Sequence, residues 1–279
     1  MKQLIVTADD FGAALVVNEA VERAHVEGVL TAASLMVGAP AAADAVARAR
    51  RLPGLRVGLH LVLVEGRPLS APAQIPDLVA ADGAFRTDMA GMGVDIFFRP
   101  AVRRQLEAEI RAQFEAYAAT GLPLDHVNTH KHFHLHPTIA ATILRVGARF
   151  GLRAMRAPVE PQQVLARIEP EARLPSALVT APWAALARRR LRRRGVRTPD
   201  QVFGLAWSGA MTSQRLAGVI CGLPEGLSEI YLHPATAESY EGSAPGYRYV
   251  DEFRALVDPQ VIAAARAADV TLGGFADFA

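Results

Sequence analysis

The stretch Leu4-Ile5-Val6-Thr7-Ala8-Asp9-Asp10-Phe11-Gly12 places two adjacent carboxylates where an apolar run ends. The run has the character of a buried strand that meets a loop. A carboxylate pair at a strand end can bind a cation through one member and hold water on that cation with the other, provided that neutral imidazoles supply further ligands. Alternatively, the pair caps a helix that begins near Leu15. The later histidines favour the metal site.

The composition is typical of a globular protein with a large core. The chain has 279 residues and 51% of them are hydrophobic, so a prior of about 150 residues per domain allows one or two domains. Strand-helix alternation from end to end favours one domain over residues 1–279. The formal net charge is only +2, so we expect no nucleic-acid partner.

Cysteine usage and the first residues bear on the compartment. The single cysteine, Cys221, excludes an intramolecular disulfide and disfavours a metal site built from thiolates. The sequence reaches Asp9 too soon for a signal peptide, and it contains no uncharged apolar stretch long enough to span a bilayer. These features predict a cytoplasmic protein, with peripheral contact at the inner membrane surface left open.

Strand-like and helix-like segments alternate along the chain. Short apolar, β-branched runs predict buried strands at 4–7, 32–37, 56–63, 124–129, 152–156, 229–232 and 270–272. Amphipathic segments predict helices at 14–27, 41–51, 101–120, 137–150, 213–220 and 259–268. This alternation favours an α/β fold with a parallel sheet, a TIM-like (β/α) barrel that is distorted or has fewer than eight regular units. A doubly wound open sheet is the alternative.

Two segments do not follow this pattern. Residues 67–99 contain prolines, glycines and an apolar patch at 89–98 without a clear period, which is typical of a long functional loop or lid. Residues 182–197 contain seven arginines, with Trp183 at their edge. We call residues 182–197 the basic segment. Three interpretations of its arginines, Arg188 to Arg197, stay open: a solvated helix face, a contact for an anionic membrane or a homo-oligomer contact.

The candidate functional residues share one position relative to the predicted strands. Asp9 and Asp10 follow the first strand, His60 ends the third, His130 follows the fourth and His233 ends a later one. A single histidine is more often structural than a ligand, but the carboxyl ends of parallel barrel strands gather on one rim, where such folds build active sites. One carboxylate with two imidazoles suits Zn²⁺, or another first-row divalent ion, better than Mg²⁺ or Ca²⁺. The pattern therefore favours metal-assisted hydrolysis.

Four separated motifs resemble the YdjC-like carbohydrate deacetylases. They are Thr7-Ala8-Asp9-Asp10-Phe11-Gly12, Gly58-Leu59-His60-Leu61, Asn128-Thr129-His130-Lys131-His132-Phe133-His134 and Tyr231-Leu232-His233-Pro234. The stretch through Ala39 and the basic, apolar-rich later part are most similar to a subgroup associated with hopanoid biosynthesis. Members of that subgroup are held to deacetylate an N-acetylglucosaminyl hopanoid lipid.

The resemblance implies roles for individual residues. It implies that one divalent ion, zinc by preference and Mg²⁺ or another first-row ion otherwise, is bound by Asp10, His60 and His130. It implies that Asp9 is the general base and that His233 protonates the departing amine. The alternative is that His233 supports the metal ligands without contacting the substrate. Arg156-Ala157-Pro158 is similar to the Arg-x-Pro element of the wider polysaccharide-deacetylase group, where the arginine orients the base. A surface arginine is the alternative for Arg156.

The histidine motif departs from the Asp-Ser-His-His-His form of the family. Asn128 stands where the family has Asp, which puts carboxylate support for a metal ligand in doubt. His132, His134 and His136 alternate with other residue types and are predicted to shape the loop or line the substrate site.

The resemblance implies hydrolysis of the N-acetyl amide in an N-acetylglucosamine-containing substrate, a sugar or a glycolipid. The apolar patch at 89–98 and the basic segment favour a lipid-linked substrate. Three alternatives stay open: a deacetylase of soluble chitooligosaccharides, a phosphoester hydrolase with two or three metal ions, and a sugar-binding protein without catalysis.

Overall fold

The strand that carries the two carboxylates, β1 (Lys2–Phe11), lies at the centre of the sheet. The computed structural model describes residues 1–171 and 175–278, with side chains of residues 175–180 left out. Leu4, Ile5 and Val6 are fully buried, as expected for a parallel strand covered on both faces. The other strands are β2 (Ala32–Leu35), β3 (Arg56–Leu61), β4 (Val127–Thr129), β5 (Gln201–Phe203), β6 (Gly226–Leu232) and β7 (Val270–Leu272).

All pairings among these strands are parallel, in the order β4-β3-β2-β1-β6-β5, and β7 pairs with the beginning of β1. The sheet curls into a half-barrel, so the predicted α/β fold with a parallel sheet is confirmed. The curl is consistent with the distorted barrel, whereas a regular TIM barrel is not what the structure shows. The carboxyl ends of these strands form the edge that carries the site.

An irregular segment connects the two edge strands of the half-barrel. The amide of Val127 in β4 donates to Ala154, and the amide of Val202 in β5 donates to Val159, at 3.0 and 2.9 Å. The prediction of a regular strand at 152–156 is wrong, because this segment makes only isolated bridges, one of them between Met155 and β4. Pro158 lacks the amide hydrogen that a longer ladder would need. The segment nevertheless brings Arg156 into the barrel interior.

Helices cover the sheet, and the six predicted ones are present with bounds that differ by a few residues. The helices are α1 (Leu15–Glu27), α2 (Ala42–Ala49), α3 (Met89–Phe98), α4 (Pro100–Ala119), α5 (Pro137–Gly147), α6 (Gln162–Ile168), α7 (Pro175–Arg193), α8 (Ser213–Cys221), α9 (Tyr249–Val257) and α10 (Pro259–Ala267). Short 3₁₀ turns occupy Pro72–Gln74, His130–Leu135, Ala148–Phe150 and Phe275–Asp277. No helix in the described ranges is both long and apolar enough to cross a membrane.

The segment predicted as a long loop at 67–99 is more ordered than its composition suggests. Its last third is α3, and a single bridge joins Val79 to Phe85. The buried carboxylate of Glu109 in α4 accepts the amides of Leu69 and Ser70 at 3.0 and 2.9 Å, which anchors the start of the segment. These contacts join residues distant in sequence, so no local pattern predicts them.

The basic segment at 182–197 is largely helical. It falls in the second half of α7 and the turn after it. Pro182 lies inside α7, and the helix continues beyond it. A proline removes one backbone hydrogen bond without preventing the helix from continuing beyond it.

Candidate metal centre and active-site cleft

The end of β1 is irregular, and this irregularity lets both carboxylates face the same cleft. Asp10 adopts a left-handed backbone conformation with φ of 62°, and the register between β1 and β2 shifts between Ala8 and Phe11. Successive side chains of a regular strand point to opposite faces. Here Asp9 and Asp10 both line one cleft. The alternative that the pair caps a helix is wrong, because the N-cap of α1 is Ala14, without a side-chain hydrogen bond.

Asp10, His60 and His130 converge although they lie far apart in sequence. Oδ1 of Asp10 lies 3.2 Å from Nε2 of His60 and 3.4 Å from Nδ1 of His130. One ligand atom from each residue lies within 4.8 Å of the others, which is compatible with a shared cation. Of these atoms, Oδ1 of Asp10 and Nε2 of His60 are buried without a hydrogen-bond partner in the described part of the chain.

Asn128 determines which nitrogen of His60 faces Asp10. Its amide nitrogen donates to Asp9 and Ser34 at 3.0 and 2.8 Å, so its oxygen is the atom that meets Nδ1 of His60 at 2.6 Å. This network assigns the imidazole proton to Nδ1 and leaves a lone pair on Nε2. Two acceptor atoms, on His60 and Asp10, then face each other at 3.2 Å, an arrangement that a cation would relieve. The residues present therefore fit a divalent ion.

The electrostatics of this centre also favour a positive charge. Burial alone would raise the pKa of Asp10, but the imidazoles of His130 and His60 close to its carboxylate outweigh it and hold the pKa well below its usual range. Burial alone would lower the pKa of His60, but the charge of Asp9 and contact with Asp10 raise it. The lowered pKa of Asp10 keeps this carboxylate ionised, which is the form that can ligate a cation.

Asp9 also belongs to a buried ion-pair network with Arg156 and Glu229. Both oxygens of Asp9 accept hydrogen bonds from Arg156, at 2.6 and 3.0 Å, and Arg156 also donates to Glu229 at 2.7 and 3.0 Å. Thr7 donates to the same oxygen of Glu229 at 2.9 Å, and the guanidinium carbon of Arg156 lies 4.4 Å from the centre of the Tyr231 ring. Arg156 is 0% exposed, so the alternative that it is a surface arginine is wrong.

This network keeps Asp9 ionised. Burial alone would raise the pKa of Asp9, but the charge and hydrogen bonds of Arg156 outweigh it and hold the pKa well below 3.8. Burial likewise opposes the charge of Arg156, and the carboxylates of Asp9 and Glu229 raise its pKa despite that. The two hydrogen bonds from Arg156 also fix the plane of the Asp9 carboxylate.

His233 follows β6 and lines the same cleft. Its backbone amide donates to the buried Glu252 at 2.5 Å, and its Nδ1 lies 3.9 Å from the same carboxylate oxygen. Burial raises the pKa of Glu252 to about 7. Burial also lowers the pKa of His233, although the charges of Asp10 and Asp9 oppose this shift. Desolvation therefore opposes protonation of His233, and the two carboxylates favour it.

The cleft around these residues has a volume of about 600 Å³, enough for a sugar unit. Tyr231, Tyr247 and Tyr249 contribute aromatic walls. His132 also lines it and is hydrogen-bonded to the hydroxyl of Tyr231 at 2.9 Å. The cleft thus combines apolar faces with convergent polar groups.

The remaining histidines of the cluster have different environments. His134 is hydrogen-bonded to Thr129 at 2.8 Å, and burial lowers its pKa to about 3. His136 is half-buried beside Phe97, with ring centres 6.2 Å apart. These two residues lie in and directly after the turn that follows β4, whereas His132 lines the cleft.

Sequence reasoning missed Glu229 and Glu252. Glu229 sits inside an apolar strand, and a charged residue in a buried run is a usable signal of an internal ion pair. Glu252 lies on α9, which the sequence patterns do not predict, so no local signal identifies it.

The comparison with protein families covers nearly the whole chain. A family model described as YdjC-like protein matches residues 3–267. The chain belongs to the YdjC-like protein family. The resemblance drawn from the four motifs is thereby confirmed at the level of the family, and the residues that line the cleft lie within the matched range.

Relatives of this YdjC-like protein include two proteins named carbohydrate deacetylase. The one from Geobacillus stearothermophilus is 32% identical over 263 residues, which cover 93% of this chain and 91% of the relative. The one from Brevibacillus brevis is 40% identical over 148 residues, and this match spans only 53% of this chain and 56% of the relative. The similarity to the Geobacillus protein thus extends over nearly the whole of both chains.

The fold of this YdjC-like protein also occurs in a solved structure. A candidate cellobiose-phosphate cleavage protein from Enterococcus faecalis aligns with a TM-score of 0.77 and 24% sequence identity, over 100% of this chain and 99% of that chain. At this level of identity the comparison establishes a shared fold.

Proposed function

We propose that this YdjC-like protein is a metal-dependent hydrolase that removes an N-acetyl group from an N-acetylglucosamine-containing substrate. The observation that carries the proposal is the convergence of Asp10, His60 and His130. Beside them lies Asp9, a carboxylate that is ion-paired with Arg156. Relatives named carbohydrate deacetylase support the reaction class. Residues 1–279 would act as one domain, since β7 near one end of the chain pairs with β1 near the other.

The proposed ligands of one divalent ion are Asp10, His60 and His130, and this donor set favours zinc over Mg²⁺. Such an ion would lower the pKa of a water molecule and polarise the acetyl carbonyl. Asn128 supports the centre by holding the His60 ring with Nε2 available. The amide oxygen of Asn128 thus accepts the hydrogen bond from His60 in place of the carboxylate of the family pattern.

Asp9 is the proposed general base. It is ionised because Arg156 lowers its pKa, and the same arginine holds its carboxylate in one orientation. Asp9 would accept a proton from the attacking water, and Arg156 would limit the movement of the carboxylate during that transfer. Asp9 is not a ligand of the ion in this arrangement. A protein that only binds sugar would not need such a base beside the metal ligands.

His233 is the proposed acid. Donation to the departing amine requires the protonated imidazole, which Asp9 and Asp10 favour and burial opposes. Its position directly after β6, in the cleft that Asp9, His60 and His130 also line, supports this role.

The substrate proposed in finer detail is an N-acetylglucosaminyl hopanoid lipid. The support is the subgroup resemblance, together with exposed apolar residues on α3 and the arginines of α7. A soluble chitooligosaccharide is the second candidate, favoured by the tyrosines that line the cleft. Both candidates share the N-acetylglucosamine unit and the same chemistry.

The test compares acetate release from an N-acetylglucosaminyl lipid and from diacetylchitobiose by purified, zinc-loaded protein. We expect release from the lipid, loss of release with a chelator, and recovery when zinc is returned. Release from the short sugar alone would remove the lipid assignment. Absence of acetate from both substrates would contradict a deacetylase, and two metal ions per chain would favour the phosphoester hydrolase.

A further inference from the structure

Exposed large apolar side chains concentrate on two helices. Within the described ranges, Val94, Phe97 and Phe98 are exposed on α3, and Trp183 and Leu186 on α7. Phe98 is 71% exposed and Trp183 is 54% exposed, which is unusual for aromatic side chains of this size. A cluster of such residues marks an interaction surface.

These two helices flank α5 and therefore belong to the same side of the molecule. Phe97 stacks edge-on against His136, the residue immediately before α5. Trp183 and Leu186 line a groove of about 280 Å³ together with α5 residues such as Ala140 and Leu144. The groove gives this side a depression into which an acyl chain or an apolar ring can enter.

The same side carries a cluster of positive charge. Arg188 and Arg192 are engaged with Asp200, so part of the basic segment has a structural use. Four other arginines have no ion pair or side-chain hydrogen bond within residues 1–171 and 181–278, and they are Arg189, Arg190, Arg193 and Arg194. All four are exposed, and Arg190, Arg193 and Arg194 border the groove. Apolar side chains beside exposed arginines are complementary to the surface of an anionic bilayer.

This surface adjoins the proposed active site. Leu135 lines both the groove and the cleft, and Ala181 of α7 lines the cleft. A bilayer against α3 and α7 would therefore lie beside the cleft entrance.

We propose that the exposed face of α3 and α7 docks the protein on an anionic phospholipid bilayer. A second copy of the chain fits the face less well. In a two-fold interface the same patch meets itself, which would bring two sets of the four exposed arginines to one interface. The proposal goes beyond deacetylation, and its test measures binding without turnover.

The test is co-sedimentation with vesicles of phosphatidylcholine containing phosphatidylglycerol, and with vesicles of phosphatidylcholine alone. We expect the protein to bind the anionic vesicles, to bind neutral vesicles much more weakly, and to be released by high salt. The double variant Arg190→Gln/Arg194→Gln should lose about fivefold in partitioning per arginine. Its acetate release from diacetylchitobiose, or from whichever soluble substrate is active, should be unchanged.

The matched control is Arg254→Gln/Arg266→Gln, which removes the same charge from exposed positions on α9 and α10. These helices pack on α8 and α1, away from the proposed face. The control should bind anionic vesicles within about twofold of the wild type. Equal losses in both double variants would show a nonspecific charge effect and overturn the proposal.

A second variant tests the apolar part of the face. Phe97→Ser/Phe98→Ser changes two exposed side chains, so folding should be retained, and circular dichroism checks this. Vesicle binding should fall at least tenfold, because apolar insertion is lost. Failure of the wild type to bind anionic vesicles overturns the proposal. A dimer in sedimentation velocity that these serines dissociate, without vesicle binding, assigns the face to a second copy instead.

Discussion

Asp9 and Asp10 are neighbours in sequence, but their surroundings differ in what the chain supplies. Both oxygens of Asp9 are taken by Arg156, which is itself shared with Glu229. Oδ1 of Asp10 has close histidines but no hydrogen-bond partner within the described residues. The first carboxylate is satisfied by the protein, and the second is left for a ligand.

This contrast separates two kinds of buried charge. A buried carboxylate with a complete set of donors is oriented and held ionised by the fold. A buried carboxylate that faces an imidazole lone pair is stable only when a cation or a proton completes the site. The two regions should therefore respond differently to mutation, the Asp10 side through metal content and the Asp9 side through turnover and stability.

The largest expected effect is that of His130→Ala. Removing one of three proposed ligands should reduce bound zinc from about one ion per chain to near zero and abolish acetate release. Elemental analysis after dialysis measures the zinc. The control is His136→Ala, from the same turn but outside the ligand set, which should keep its metal. Normal zinc content in His130→Ala would place the third ligand elsewhere.

Asp9→Asn should separate turnover from metal binding. The amide keeps the size of the carboxylate but cannot serve as a base, so kcat should fall by about 10²–10⁴-fold. Zinc content should stay near that of the wild type, because Asp9 is not among the proposed ligands. Steady-state acetate release and elemental analysis on the same preparation check both statements. A fully active variant would remove Asp9 from the mechanism.

Arg156→Met should affect stability most. It leaves Asp9 and Glu229 buried without their shared cation, which should lower the free energy of unfolding at pH 7 by about 3–5 kcal/mol. Urea denaturation monitored by circular dichroism measures this. Arg192→Met is the matched control, since it breaks the half-exposed pair with Asp200 and should cost less than about 1 kcal/mol.

The pH dependence of this stability difference has a defined sign. Arg156 holds the pKa of Asp9 below 3.8, so the stabilisation is present above that pH and is lost as the pH falls towards the folded-state pKa. The difference between wild type and Arg156→Met should therefore shrink when denaturation is repeated at pH 3. A difference that stays constant down to pH 3 would mean that Arg156 stabilises by packing instead of charge.

The smallest of these effects is expected for Asn128→Ala. Loss of the amide oxygen frees the His60 ring and should weaken zinc affinity by about 10–100-fold. A competitive zinc titration measures the affinity. Ser34→Ala removes another partner of Asn128 that does not touch His60, and it should change the affinity much less. Equal affinities in all three proteins would show that Asn128 does not support the centre.

The positions of the candidate residues were largely predictable from the sequence. Asp10, His60 and His130 each follow or end a strand-like run, and parallel strands place their carboxyl ends on one edge. The helices at 14–27 and 101–120 were predictable for a related reason, because apolar periodicity is local. The strand at 152–156 was not, since whether a segment forms a ladder depends on the register of its neighbours.

The partners of those residues were not predictable. Arg156 and Glu229 are 73 residues apart, and nothing in either local sequence says that they share a hydrogen bond. Asn128 looked like a loss of carboxylate support, yet its amide oxygen accepts from His60 while its amide nitrogen reaches Asp9. Such choices depend on side-chain directions that only the packed barrel defines.

The sequence alone determined the residue types and the place of the candidate residues at strand ends, and therefore the edge on which the site forms. These properties follow from hydrophobic periodicity and from the direction of parallel strands. Only the tertiary structure decided that Asp9 is satisfied by Arg156 while Asp10 faces a lone pair of His60. Hydrogen bonds between distant segments act over about 3 Å, so their partners exist only after the chain has folded.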